Sequence, residues 1–400
     1  MKAFKVGVLG ATGAVGQEMM KILAERDFPV SELHPLASAH SAGKVIKFKG
    51  RDVVIEEARP EAFKGLDIVF GAAENDIAEH FAPSIKAAGC VFIDNSSAFR
   101  LDPDVPLVVP EINPEDVKLQ HGIIANPNCV TVIACTAINA LNSVSPIKSI
   151  VASSYQAVSG AGANGPKELM AEVAALEKGE DYAPKVFARQ IAYNVIPQIG
   201  GAQYMGYTSE EMKLLNEGRK IMHLPDLKVD CTCVRVPVIR SHSVSMVVRT
   251  EKKISVEEAR RVIAAAPGVK LVDDLDNMVY PTPLDTSDQD IVFVGRIRED
   301  LINDDGLNIW CCGDQVRKGA ATNAVQIAEI LIKDMGVIVP ASIAMMAITI
   351  ISSTRVKPLL LSFISTSLLQ NAFGYITISY MRRSRKMSRA NIVRFFALFS

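Results

Sequence analysis

Residues 5–26, KVGVLGATGAVGQEMMKILAER, read as a short apolar strand, a glycine-rich turn and a helix. That succession limits the fold more than any other stretch of the chain. A strand that ends in glycines and turns at once into a helix is the opening unit of a parallel sheet. The residues that follow keep up the alternation. SELHPLAS, VVIEEA and LDIVFGAA read as strands, IAEHFAPSIKAAG as a helix, and CVFIDNS, LVVPEIN and GIIANPN as further strands. Short links between them imply an α/β, Rossmann-like, doubly wound sheet.

In GATGAVG, Gly10, Gly13 and Gly16 fall between the first strand and its helix. Glycine there lets backbone approach a pyrophosphate, and the helix N-terminus attracts its charge. The spacing is GxxGxxG, not the commoner GxGxxG, and a tight turn without ligand is the alternative. A site for NAD carries Asp or Glu at the end of the second strand. Here that strand runs into LASAHSAGK, which offers Ser38, His40, Ser41 and Lys44 and no carboxylate. Hydroxyls and a cation suit the 2′-phosphate of NADP, and a solvated basic loop is the alternative.

With 400 residues the chain exceeds what one hydrophobic core serves. The long strands IKSIVASSYQAVS, KVDCTCVRVPVIR, HSVSMVVRTE and DIVFVGRIRED lack regular helical crossovers. They imply an α+β domain with a mostly antiparallel sheet and one face under helices. The division is then an NADP-binding domain at 1–130, completed by a helix within 314–335, and a catalytic and dimerisation domain at 131–313. A net charge of −1 gives no reason to expect nucleic acid. Seven cysteines without a CxxC pair give no metal site. No signal peptide precedes the first strand, so a cytoplasmic enzyme with reduced thiols is expected.

One cysteine stands apart. In NPNCVT, Cys129 follows an Asn-Pro-Asn turn and opens an apolar helix. A helix N-terminus should lower a thiol's pKa and favour thiolate. Beside a nicotinamide domain, that suggests aldehyde chemistry through a thioester. A buried structural cysteine is the alternative. Among six histidines, His242, in a link between two strands of the second domain, is the best placed to act as base.

GATGAVG, SSAFR, NPNC, SYQAVSGAG, EEMK, CVRVPVIRSHS and GDQ…KGAATNAVQIAE occur in this order. Over residues 4–335 the chain resembles the aspartate-β-semialdehyde dehydrogenases, homodimeric NADP enzymes of lysine, threonine and methionine synthesis. The loops ASAHSAGK and VFGAAEN look most like the Gram-positive-type bacterial branch. The resemblance implies that Cys129 is the nucleophile, His242 the acid/base, and that Gln156 orients the thiohemiacetal and acyl intermediate. Arg235 and Glu211 would bind the substrate's α-carboxylate and α-ammonium. Arg100, Asn128 and Lys213 would bind inorganic phosphate. Gly10, Thr12, Gly13, Ala14 and Val15 would hold the pyrophosphate, with Ser38, Ser41 and Lys44 near the 2′-phosphate. Gly160 would contact the cofactor too, with Gln315 and Asn323 near its nicotinamide side. N-acetyl-γ-glutamyl-phosphate reductase has similar fold and chemistry, and a non-catalytic, membrane-attached relative is a further alternative.

The tail at 336–400 departs from that family. GVIVPASIAMMAITIISST and PLLLSFISTSLLQNAFGYITISY are uncharged, and MRRSRKMSR follows. Each run has the length of a bilayer span, with a basic flank suited to the cytoplasmic side. A hairpin membrane anchor, a packed helical extension and a read-through or frame-shifted product are the readings. Membrane contact is expected through this tail only.

Overall fold

Strand β1 (Phe4–Leu9) lies inside a six-stranded, wholly parallel sheet. Its neighbours are β2 (Val30–Ala37), β5 (Glu56–Glu57), β6 (Ile68–Gly71), β7 (Val91–Asp94) and β8 (Ile123–Ala125), in the order β5-β2-β1-β6-β7-β8. Both faces are covered, so its strands are apolar on both sides. Val6 and Val8 pack with Met19, Ile22 and Leu23 of α1 (Ala14–Glu25) and with Ala324, Val325 and Ala328 of α8 (Thr322–Asp334). Leu9 and Val69 pack against Phe81, Ala82 and Ile85 of α2 (Asn75–Ala87). The computed structural model describes residues 3–334. The tail readings at 336–400 lie outside the described residues. Among the described residues no helix is long and apolar enough to cross a membrane.

The second sheet is mixed. Its strands are β9 (Ile147–Gln156), β10 (Lys228–Arg235), β11 (His242–Thr250), β12 (Val269–Leu271), β13 (Val292–Glu299) and β14 (Gly306–Gly313), in the order β10-β9-β11-β14-β13-β12. The three inner pairings are antiparallel and the two outer ones parallel. One face packs on α3 (Cys129–Ile138), α5 (Ser209–Ile221) and α6 (Val256–Ala264), through residues such as Ile133, Leu214 and Ile263 against Ile150, Val244 and Ile309. Helix α3 is apolar all round because it is enclosed on all sides. On the other face Val151 and Tyr155 are exposed. Helices α4 (Asn164–Glu177) and α7 (Pro283–Thr286) lie outside this layer's core.

Three sequence readings change. LVVPEIN does not form a strand; Leu107 makes only an isolated bridge to Ala125. Asn113 folds back, accepting from Val109 N and donating to Leu107 O, both at 2.9 Å, and so takes the groups a ladder would use. VVIEEA splits. Its valines close a hairpin of β3 (Val45–Phe48) and β4 (Arg51–Val54), turned by Lys49 and Gly50 with φ of 46° and 78°. Its glutamates form edge strand β5. His242 is the first residue of β11 rather than part of the link before it.

Candidate active site

Strand order reverses at β1, so the chain leaves β2 and β6 on opposite sides of a crevice at their carboxyl ends. The loops after β1, β6, β7 and β8 line one cleft there, from Gly13–Val15 round to Asn126–Cys129. Ser159, Gly160, Lys213 and Gln315 close it from the second layer.

The glycine turn fits a dinucleotide. Gly10 has φ +85°, and a Cβ there would lie 2.4 Å from Ala72 O; a Cβ at Gly16 would lie 2.3 Å from Gly10 O. Packing requires both. A Cβ at Gly13 would meet Gly10 O only at 3.4 Å, so its open side is left for a ligand. Among the described residues no side chain caps α1, and no acid stands in its first turn, which leaves the Ala14 and Val15 end free for an anion. Thr12 lies in the same turn, its carbonyl bonded by Gln17. Ser38, Ser41 and Lys44 follow the end of β2; Ser41 is buried, the other two exposed.

Cys129 is the first residue of α3 and half-buried. Asn128 caps the helix, its Oδ1 accepting from Val130 N and Thr131 N. The backbone of Gly319 stands against Cys129; a Cβ there would be 2.9 Å from Cys129 Cβ. The expected depression of the thiol pKa does not occur. Burial and then Glu210 push it up to about 12, against Lys213, Arg100 and Arg235. Desolvation outweighs the helix end at this position.

His242 and Arg235 meet across Gly160. A Cβ at Gly160 would lie 2.7 Å from Arg235 Nη1 and 3.3 Å from His242 Nε2. Ala157 N donates to His242 Nδ1 at 3.0 Å, so Nδ1 is the unprotonated nitrogen and Nε2 carries the hydrogen in the neutral ring. Nε2 is buried without a protein partner among the described residues. Burial and then Arg235 bring the imidazole pKa down to about 3, so it is neutral at rest. Arg235 is 7% exposed; its guanidinium donates to Ala157 O at 2.7 Å and has no carboxylate partner among the described residues. A buried cation left this way is suited to an incoming anion.

The carboxylate in the site is Glu210, not Glu211. Glu210 Oε1 accepts from Asn128 Nδ2 at 3.0 Å and Gln156 Nε2 at 3.2 Å, and Oε2 from Lys213 Nζ at 2.9 Å. Burial would raise its pKa, but Lys213 and these bonds hold it below the usual range. Both oxygens of Glu211 are engaged elsewhere, on Thr208 N in a capping box and on Cys233 N. The signal was in the sequence: T-S-E-E is Ser/Thr-x-x-Glu, which assigns the second glutamate to the cap. Arg100 and Lys213 both line the cleft. Arg100 is backed by Glu217 at 3.0 Å and also bonds the carbonyls of Asn126 and Asn95. Asn128 is committed to α3 and Glu210, while its N–H donates to Glu217.

Gln315 reaches the cleft and joins Ser241 N to Ser159 Oγ. Asn323 stands behind the cleft wall. It is fully buried, donates to Val108 O and Asn126 Oδ1, and accepts from Lys318. It reaches the cleft through Asn126, not by its own side chain.

Residues 5–120 match the semialdehyde dehydrogenase NAD-binding domain, and residues 138–318 the semialdehyde dehydrogenase dimerisation domain. An aspartate-semialdehyde dehydrogenase of Aquifex aeolicus is 49% identical over 336 residues, 83% of this chain and 98% of that protein. The crystal structure of aspartate semialdehyde dehydrogenase II from Vibrio cholerae complexed with ASA is 42% identical, with TM-score 0.81 over 84% of this chain and 99% of that one. The Candida albicans enzyme with NADP is 27% identical, with TM-score 0.64 over 82% and 98%.

Proposed function

The chain belongs to the family of aspartate-semialdehyde dehydrogenases, and from that premise we propose how its residues divide the work. The reaction is reductive dephosphorylation of L-4-aspartyl phosphate to L-aspartate 4-semialdehyde, a step in lysine, threonine and methionine synthesis. NADPH, when bound, supplies the hydride that reduces the acyl thioester. The observation that supports the assignment is that Cys129, capped onto α3 by Asn128, lines the same cleft as Gly160, against which His242 and Arg235 stand.

Cys129 Sγ attacks the acyl carbonyl of the aspartyl phosphate. Its proton leaves for a base, and the C–O bond to phosphate breaks to give the thioester. His242 is that base through Nε2, and it takes the proton only once its own hydrogen has moved to Nδ1 and the bond from Ala157 N is released; thiol and imidazole are both uncharged at rest. The thiolate therefore forms as attack proceeds rather than standing ready beforehand. Arg100 and Lys213 receive the phosphate. Arg235 holds the α-carboxylate, Glu210 the α-ammonium, and Gln156 orients the acyl carbon's oxygen. After reduction, His242 returns its proton as the thiohemiacetal breaks into aldehyde and thiol. Gly13, Ala14 and Val15 hold the pyrophosphate, with Ser38, Ser41 and Lys44 towards the 2′-phosphate.

The dimerisation-domain match supports a homodimer. The open face of the second sheet, with Val151 and Tyr155 exposed and Tyr155 against Trp310 at 5.7 Å between ring centres, suits that contact. Sedimentation of Tyr155→Asp tests it; an undiminished dimer would place the contact elsewhere. Seven free cysteines suit a reducing compartment, which supports a cytoplasmic location.

Phosphate-dependent NADP reduction with L-aspartate 4-semialdehyde, compared with Cys129→Ala, tests the whole reading. Activity lost in Cys129→Ala is expected. Turnover of N-acetyl-L-glutamate 5-semialdehyde in its place would overturn the substrate.

A further inference from the structure

Arg235 is gripped by a length of chain that the roles above leave unused. Residues 185–196 form neither helix nor strand, and most of their side chains face solvent. What fixes the segment is a pair of carboxylates on α4. Glu168 accepts from the N–H groups of Lys185, Val186 and Phe187 at 2.8, 2.7 and 3.0 Å. Glu172 accepts from those of Ile191 and Ala192 at 2.8 and 2.7 Å. Both glutamates are buried, at 4% and 0% exposure. Burying a carboxylate costs heavily unless it is well bonded. Two of them spent on one irregular strap imply that the strap's position matters.

The strap reaches Arg235 twice. Ile196 and Arg235 exchange both backbone hydrogen bonds, at 2.9 and 2.8 Å. Phe187 presents its ring to the guanidinium, with Cζ 5.9 Å from the ring centre. Gly160 closes the other side, too tightly for a Cβ. A guanidinium free to swing loses the fork geometry that recognises a carboxylate, and this packing removes that freedom.

We propose that Glu168, Glu172 and Phe187 are positioning residues that set the affinity for the substrate's α-carboxylate by fixing Arg235. The inference rests on the reading of Arg235 as the carboxylate's anchor. Steady-state kinetics on the full chain, with semialdehyde and NADP varied separately, separate the two. Phe187→Leu and Glu168→Gln should each raise the semialdehyde KM about tenfold. The NADP KM should stay within about twofold, and Phe187→Tyr, which keeps the ring, should match the unsubstituted protein. A strap that is scaffold only would lower kcat through loss of active protein and leave the semialdehyde KM unmoved, which overturns the proposal. Arg235→Ala is the control. If it raises the semialdehyde KM while Phe187→Leu and Glu168→Gln do not, only the strap's role falls. If Arg235→Ala leaves that KM unchanged, the anchor reading falls and the strap's role with it.

Discussion

The side-chain amide of Asn128 donates to Glu210 at 3.0 Å while its carbonyl oxygen caps the helix that begins at Cys129. Helix α3 and the Glu210 carboxylate are thus fixed to each other by one residue. Gln156 and Lys213 bond the same carboxylate. Proposed substrate groups and proposed phosphate groups therefore share a centre at Glu210.

Neighbouring glutamates should then respond differently to substitution. Glu210→Gln removes the charge proposed to pair with the substrate's ammonium, and should raise the semialdehyde KM roughly 10- to 100-fold. Glu211→Ala should leave that KM within about twofold, but cost about 1–2 kcal/mol of stability through the lost cap and the bond to Cys233 N. Kinetics paired with urea unfolding read both. Matching KM effects would reinstate Glu211 as a substrate contact.

Cys129 should be slow to alkylate in the cofactor-free protein. Its thiol is pushed up to about 12, so the thiolate fraction near neutral pH is small and grows tenfold per pH unit. The iodoacetamide rate should climb without a plateau from pH 7 through pH 9. A plateau below pH 8 would falsify the account of a thiol kept neutral by burial and Glu210.

The thiol's resting state was not legible in the sequence, whereas its place on the helix was. Asn-Pro-Asn before an apolar run announces an N-cap, and Asn128 fills it. The raised thiol pKa depends on burial beside Gly319 and on the charge of Glu210, which are far away in the chain and near only after folding. The parallel sheet was legible because both of its faces are covered and its strands read as apolar runs. The stretch at Leu107–Asn113 misled because one asparagine side chain took the backbone groups that a strand needs. The Glu210/Glu211 choice was open to a reading of caps alone.

His242 should make stability depend on acidity. Its pKa falls from 6.5 to about 3 on folding, because burial and Arg235 disfavour the imidazolium. Between those values the unfolded chain binds the proton and the folded one does not. The stability present above pH 6.5 is therefore lost as pH falls towards 3, at about 1.4 kcal/mol per unit. Relative to His242→Gln, the unsubstituted protein should lose about 1 kcal/mol between pH 6 and pH 5. A constant difference across urea titrations at those pH values would mean that His242 is not a buried neutral imidazole.

Lys318 is wholly buried, and its ammonium is bonded three ways: to Glu111 at 2.6 Å, Gln326 at 2.8 Å and Asn323 at 2.9 Å. Removing the lysine alone strands the Glu111 carboxylate, so Lys318→Met should cost about 3–5 kcal/mol. Lys318→Met with Glu111→Gln removes both buried charges and should recover much of that loss, since the penalty comes from the unpaired ion rather than from the missing pair. Activity need not return with stability. Lys318 precedes Gly319, which bears on Cys129, and Asn323 bonds Asn126 on the cleft wall. A shift of either would displace the reacting atoms, where about 1 Å can cost 100-fold in rate. Urea unfolding and kcat measured on the single and double variants separate the two effects. A double variant restored in stability and still slow would place Lys318 among the residues that position Cys129, while full recovery of both would make the buried pair purely structural.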